Sequence, residues 1–164
     1  MNTLAQVAAT AALTAVALIP AASAQAGPAI TFTEHEQFTE SFSDESFICQ
    51  TELYTVTADL RVTTHLTALD SGMFRFTEIV NGRAVGVPLD GTGITYTATF
   101  HQFDLETIRA VGSGGVLAEV DSDVGSVVAH GSDGSLAHQR MHAHFTINAN
   151  GEVSVEFFID SLTC

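Results

Sequence analysis

Lysine is absent from this chain of 164 residues, and Arg61, Arg75, Arg83, Arg109 and Arg140 are its only arginines. Against 19 Asp and Glu they leave a formal net charge of -14. A phosphate-binding surface needs clustered Lys or Arg, and these five lie scattered, so nucleic acid is excluded as a partner. The same deficit disfavours an anionic membrane surface. It is compatible with cationic partners or divalent metals, or with solubility through self-repulsion. Also missing are the G-x-S-x-G elbow of a serine hydrolase and any long amphipathic helix after Gln25. Gly112-Ser113-Gly114-Gly115 lacks the lysine and following helix of a phosphate cradle, so it reads as a turn.

Only one long apolar run exists, Val7 to Ile19, followed by Pro20 and Ala22-Ser23-Ala24. It is too short for a lasting membrane anchor, and small residues at Ala22 and Ala24 suit signal peptidase. Residues 1–24 therefore read as a secretory signal, although no Lys or Arg precedes the run, and residues 25–164 as a single mature domain. The expected location is extracellular, or periplasmic if the source has an outer membrane. Cys49 and Cys164 are the only cysteines. In an exported chain an even pair reads as one disulfide, here closing a loop of more than 100 residues. A shared metal is the weaker reading, because neither has a second Cys or His at short ligand spacing.

Period-2 alternation runs through the mature sequence. Tyr96, Ala98 and Phe100 alternate with Thr95, Thr97, Thr99 and His101, while Tyr54, Val56, Ala58, Leu60, Val62, Leu66 and Ala68 form a second row. Both patterns predict half-buried antiparallel strands. Thr31 to Phe42 is a further strand, with Glu34, Glu36 and Glu40 sharing the parity of Phe32, Phe38 and Phe42. Turns are expected at Asn81-Gly82, Asp90-Gly91, Ser113-Gly114-Gly115, Ser132-Asp133-Gly134 and Asn150-Gly151. In the last hairpin, a three-residue loop over residues 149–151 keeps both apolar rows on one face. That register sets Phe145 opposite Val155, Ala143 opposite Phe157, His144 beside Glu156 and Arg140 beside Asp160.

His142-Ala143-His144 has the spacing by which a strand presents two imidazoles to one metal, and the expected register adds Glu156. His142, His144 and Glu156 are thus the candidate metal set, weighed against a solvated polar strand surface. A cupin is excluded, because its H-x-H continues to a glutamate within three or four residues. Asp121-Ser122-Asp123 opens like a calcium loop, but no glutamate closes the twelve-residue frame, so an acidic loop is expected. No residue is assigned a catalytic or cofactor-binding role.

His130-Gly131-Ser132-Asp133-Gly134-Ser135, His142-Ala143-His144-Phe145, Asn148, Asn150-Gly151 and the terminal Leu162 and Cys164 resemble small exported bacterial proteins, many from actinobacteria. These share a G-S-D-G-S turn, a His-bearing strand and a terminal L-x-C. The resemblance implies export, a β fold and a disulfide, and carries no catalytic residue, since no activity is attached to that group.

Together these readings predict a single antiparallel β domain of about eight strands, closed or nearly closed as a barrel, with a two-sheet sandwich as the alternative. Apolar residues should face inward, and Thr, His and carboxylates outward. The expected function is non-enzymatic binding or surface interaction outside the cell, with an extracellular partner or small ligand. A ligand-binding barrel enzyme of the cyclase or isomerase kind, or a metal-binding protein, is the alternative. An inward polar residue such as Glu36 or Glu78 would favour an enzyme or carrier.

Overall fold

The computed structural model describes residues 29–46, 49, 52–69, 72–111, 116–148, 150 and 152–164. The expected signal segment and the Ser113-Gly114-Gly115 turn lie outside the described residues. Seven strands are described: β1 (Ile30–Ser46), β2 (Leu53–Ala68), β3 (Met73–Pro88), β4 (Tyr96–Val111), β5 (Val116–Gly131), β6 (Leu136–Ile147) and β7 (Val153–Thr163). They form one sheet in sequence order, antiparallel at every pairing. The architecture is the expected all-β meander, in one sheet rather than the two of a sandwich.

The sheet is rolled. Six inter-strand gaps would place the edges of a flat sheet about 29 Å apart. Yet Cys49, in the connection after β1, is bonded to Cys164, just past β7, with Cα atoms 5.8 Å apart. The disulfide thus draws the two edges together at one end. No ladder joins β1 to β7 among the described residues, so closure is covalent there and not by hydrogen bonds.

One face carries the core: even residues of β1 to β4, odd residues of β5 and β6. Ala58, Ala84, Ala98, Ala129 and Ala137 are aligned in one cross-strand row, each at most 3% exposed. Small side chains in register leave room for the strands to curl inward. Tyr54 and Tyr96 fill the next layer edge to face, with ring centroids 6.2 Å apart. The Tyr96 hydroxyl is 3.2 Å from Ser135 Oγ.

Two of the expected turns close hairpins here. Asp90 accepts from Thr92 N–H and Oγ1 at 2.9 and 2.7 Å, and Asp133 accepts from Ser135 N–H and Oγ at 2.9 and 2.6 Å. These bonds hold both carboxyls below their ordinary range. The Asn81-Gly82 turn is not formed, and β3 runs straight through it. Gly82 is there because the Phe100 ring, directly opposite on the core face, occupies the space a Cβ would need. Asp121-Ser122-Asp123 is likewise no loop but the middle of β5.

The final hairpin begins as expected. Asn148 N–H donates to the Glu152 carbonyl at 2.9 Å and Ile147 pairs with Val153. Then the register shifts by one: Thr146 faces Val155, leaving Ser154 as the extra residue of a β-bulge, its Oγ donating to the Thr146 carbonyl at 3.2 Å. A one-residue slip flips every later side chain. Phe145 therefore lies opposite Glu156, Ala143 opposite Phe158, His144 opposite Phe157, and Arg140 opposite Ser161.

Candidate functional site

Along the core face, the alanine and tyrosine layers give way to carboxylates. β2 shows the change: alternate residues are buried from Tyr54 to Val62, while Thr64, Leu66 and Ala68 are only half-buried. At that level one cross-strand row reads Glu34, Thr64, Glu78, Asp104, Asp123. The next row places Glu106 beside Asp121, and the one after it Ile108 beside Glu119. Glu36 sits one row toward the apolar half, opposite Val62. The expectation of outward-facing carboxylates is overturned, because strand pairing ties both halves of each strand to one parity. Once the alanine row is buried, the acidic continuation of β4 and β5 must share its face.

Burial and crowding push Glu78, Asp104, Glu106, Glu119 and Asp123 above the ordinary carboxylate range. Asp104 is pushed up to about 8, by desolvation first, then by a side-chain hydrogen bond with Asp121 and the charges of Asp121, Asp123 and Glu106. Two carboxylates about 5 Å apart repel by roughly 3 kcal/mol at an effective dielectric of 20, which favours the protonated form of Asp104. Burial also raises Glu106 and Glu119, with Glu119 and Asp121 adding to the first and Asp121 to the second. Asp123 is raised by burial and by Asp121, against the opposing pull of Gln102, whose Nε2 donates to Oδ2 at 3.3 Å, and of His142. Glu78 is only 5% exposed, is raised by burial and by the charge of Glu36, and takes no hydrogen bond from any described residue. The Oδ1 atoms of Asp104, Asp121 and Asp123 are buried without a hydrogen-bond partner.

Among the described residues no arginine shares the face of this cluster, and the one cationic pull on it is that of His142 on Asp123. Arg61, Arg75, Arg83 and Arg109 have the odd parity of β2 to β4, and Arg140 the even parity of β6, all on the outer face. The seven histidines are on that face as well. There they join a polar cross-strand ladder, with Thr33 to His65 at 2.9 Å, His35 to Thr63 at 3.1 Å and Thr39 to Asp59 at 2.6 Å.

The sequence-derived metal set is not assembled. His142 and His144 are on the outer face, where both pack against Phe157 with ring centroids 4.8 and 5.5 Å away. Glu156 is opposite Phe145 on the core face. No group of three or more His, Cys, Asp or Glu among the described residues is arranged to hold a metal ion.

Of the acidic cluster, sequence reasoning found Glu36 and Glu78 as inward candidates and missed Asp104, Glu106, Glu119, Asp121 and Asp123. The signal was present in parity. Tyr96, Ala98 and Phe100 continue as Gln102, Asp104 and Glu106 at the same spacing, in a strand without a break. No protein-family model matches the chain, and no curated protein and no solved structure matches it.

Proposed function

We propose that this is an exported, non-enzymatic binding protein that holds a small organic polycation in the acidic half of its core face. The observation that carries the reading is the set of buried, unpartnered Oδ1 atoms of Asp104, Asp121 and Asp123, in register with the nearly buried Glu78 and with every arginine on the other face. A ligand with several ammonium groups supplies the missing donors and charge. A single metal ion suits the site less well. Among the described residues no three carboxylate or imidazole side chains are arranged to hold one ion. Access is open from the β1 edge, where Glu34 and Glu36 are exposed. Export rests on the signal-like residues 1–24 and on the resemblance, and the disulfide is consistent with an oxidising compartment.

A second reading is favoured by the register, which sets Asp104 between Glu78 and Asp123 and one row from Asp121. A carboxyl that keeps its proton near neutrality beside a carboxylate is a general acid and base pair of the kind used by isomerases and cyclases.

Calorimetric titration with spermidine separates the possibilities. Binding should be saturable, release protons at pH 7 and weaken at least about tenfold in the Glu78→Gln/Asp104→Asn double variant, as expected when charge-assisted hydrogen bonds are lost. Equal binding by the double variant, or tighter binding of Ca²⁺ than of spermidine, would overturn the proposal.

A further inference from the structure

The outer face of β1 to β3 holds a groove of about 540 Å³ lined by Gln37, Asp59, Arg61, Asn81, Gly82 and Arg83. We infer that this groove is a second binding site, for a sugar acid whose carboxylate sits between Arg61 and Arg83. It is on the face opposite the acidic cluster and stands independently of the reading given for that cluster.

Strand register brings the groove together. Gln37, Arg61 and Asn81 form one cross-strand row, and Asp59 and Arg83 pair in the row beside it. Both guanidinium groups are unoccupied, since no hydrogen bond or ion pair from any described residue engages them. That is unusual in a chain with 19 acidic residues, and it leaves two planar forks free to take a carboxylate. Asn81 adds a third donor. Its Oδ1 is 2.7 Å from His101 Nδ1, so the imidazole donates to the amide oxygen and the Asn81 NH₂ group is left for a ligand.

Two further features narrow the ligand. The volume falls in the range of small-molecule sites, about 300–1,000 Å³, and exceeds what a bare oxyanion needs. Asp59 is also in the lining, with Oδ1 accepting from Thr39 at 2.6 Å and its second oxygen free of any such bond. A carboxylate there repels a dianion but accepts hydroxyl donors. Gln37 offers both a donor and an acceptor to the same hydroxyls. The chemistry called for is therefore a polyhydroxylated monoanion. A long polyanion is disfavoured by the net charge of -14, whereas a single sugar acid lies within a Debye length of the two arginines and is held locally.

The test is a nuclear magnetic resonance titration of the isotope-labelled full chain, disulfide intact, following the arginine Nε–Hε resonances. Glucuronate, methyl glucoside and acetate are the probes. Glucuronate should shift Arg61 and Arg83 saturably, in the millimolar range expected of a small exposed site, with acetate weaker by about threefold or more and methyl glucoside without effect. Arg61→Gln and Arg83→Gln should each reduce the affinity about tenfold while melting at the wild-type temperature, because both side chains are exposed. Absence of saturable shifts, acetate binding as tightly as glucuronate, equal binding of methyl glucoside, or undiminished binding by the two variants would overturn the assignment.

Discussion

The two halves of the core face share one sheet and one parity, yet they are built on opposite principles. One half stacks Tyr54 and Tyr96 over an aligned row of alanines and is closed to water. The other lines the same surface with Glu78, Asp104, Glu106, Asp121 and Asp123, half-buried or buried and short of hydrogen-bond donors. The first half stabilises the fold by removing apolar area from water; the second costs stability, because each carboxylate is desolvated beside others of like charge. A domain carries such a cost where a site needs it. The difference is what the proposed binding role of the acidic half rests on.

Substitutions should divide along that line. Tyr54→Ala removes a fully buried ring from the packed half and should cost about 3–5 kcal/mol, read by urea unfolding. Cys164→Ser frees the two sheet edges and should cost about 2–5 kcal/mol; a loss near zero would show that the roll is held without the bond. Gly82→Ala sits at the border between the halves. Its methyl must displace the Phe100 ring, so about 1–3 kcal/mol is expected, and Phe100→Leu in the same chain should recover part of it. On the outer face, His144→Ala should change stability by well under 1 kcal/mol, since its partner Phe157 is itself 38% exposed.

How the sequence spoke of these halves is equally uneven. Alternation in Tyr54 to Ala68 and in Ile94 to His101 specified β2 and β4, and the lone cysteine pair specified the disulfide that rolls the sheet. The acidic half was misread because binary patterning sends polar residues to water. In β5 the apolar row Val120, Val124, Val128 faces outward, and Glu119, Asp121, Asp123 face inward, since Ala129 on the same parity is held in the alanine row. Long-range register overrode local pattern. In β7 the cause was one residue: the bulge at Ser154 is invisible to composition, yet it moved Phe157 to the outer face and Glu156 away from His144. Gly82 misled for a third reason, as Asn-Gly is a strong hairpin signal and only a partner ring explains a glycine in mid-strand.

The central claim is that the acidic half holds protons in the folded state, and the dependence of stability on pH tests it most directly. A carboxyl raised to about 8 in the folded protein and near 3.9 when unfolded binds more protons folded, so its contribution is full below the unfolded value and is lost as pH rises toward 8. Asp90 and Asp133, lowered by their turn hydrogen bonds, act in the opposite sense, but only below the ordinary carboxylate range. Urea unfolding between pH 5 and pH 9 should therefore show stability falling steadily through neutrality, and Asp104→Asn should flatten the slope and stabilise the protein at pH 8. A midpoint that stays level or rises over that interval, in the wild type or equally in both proteins, would contradict the account.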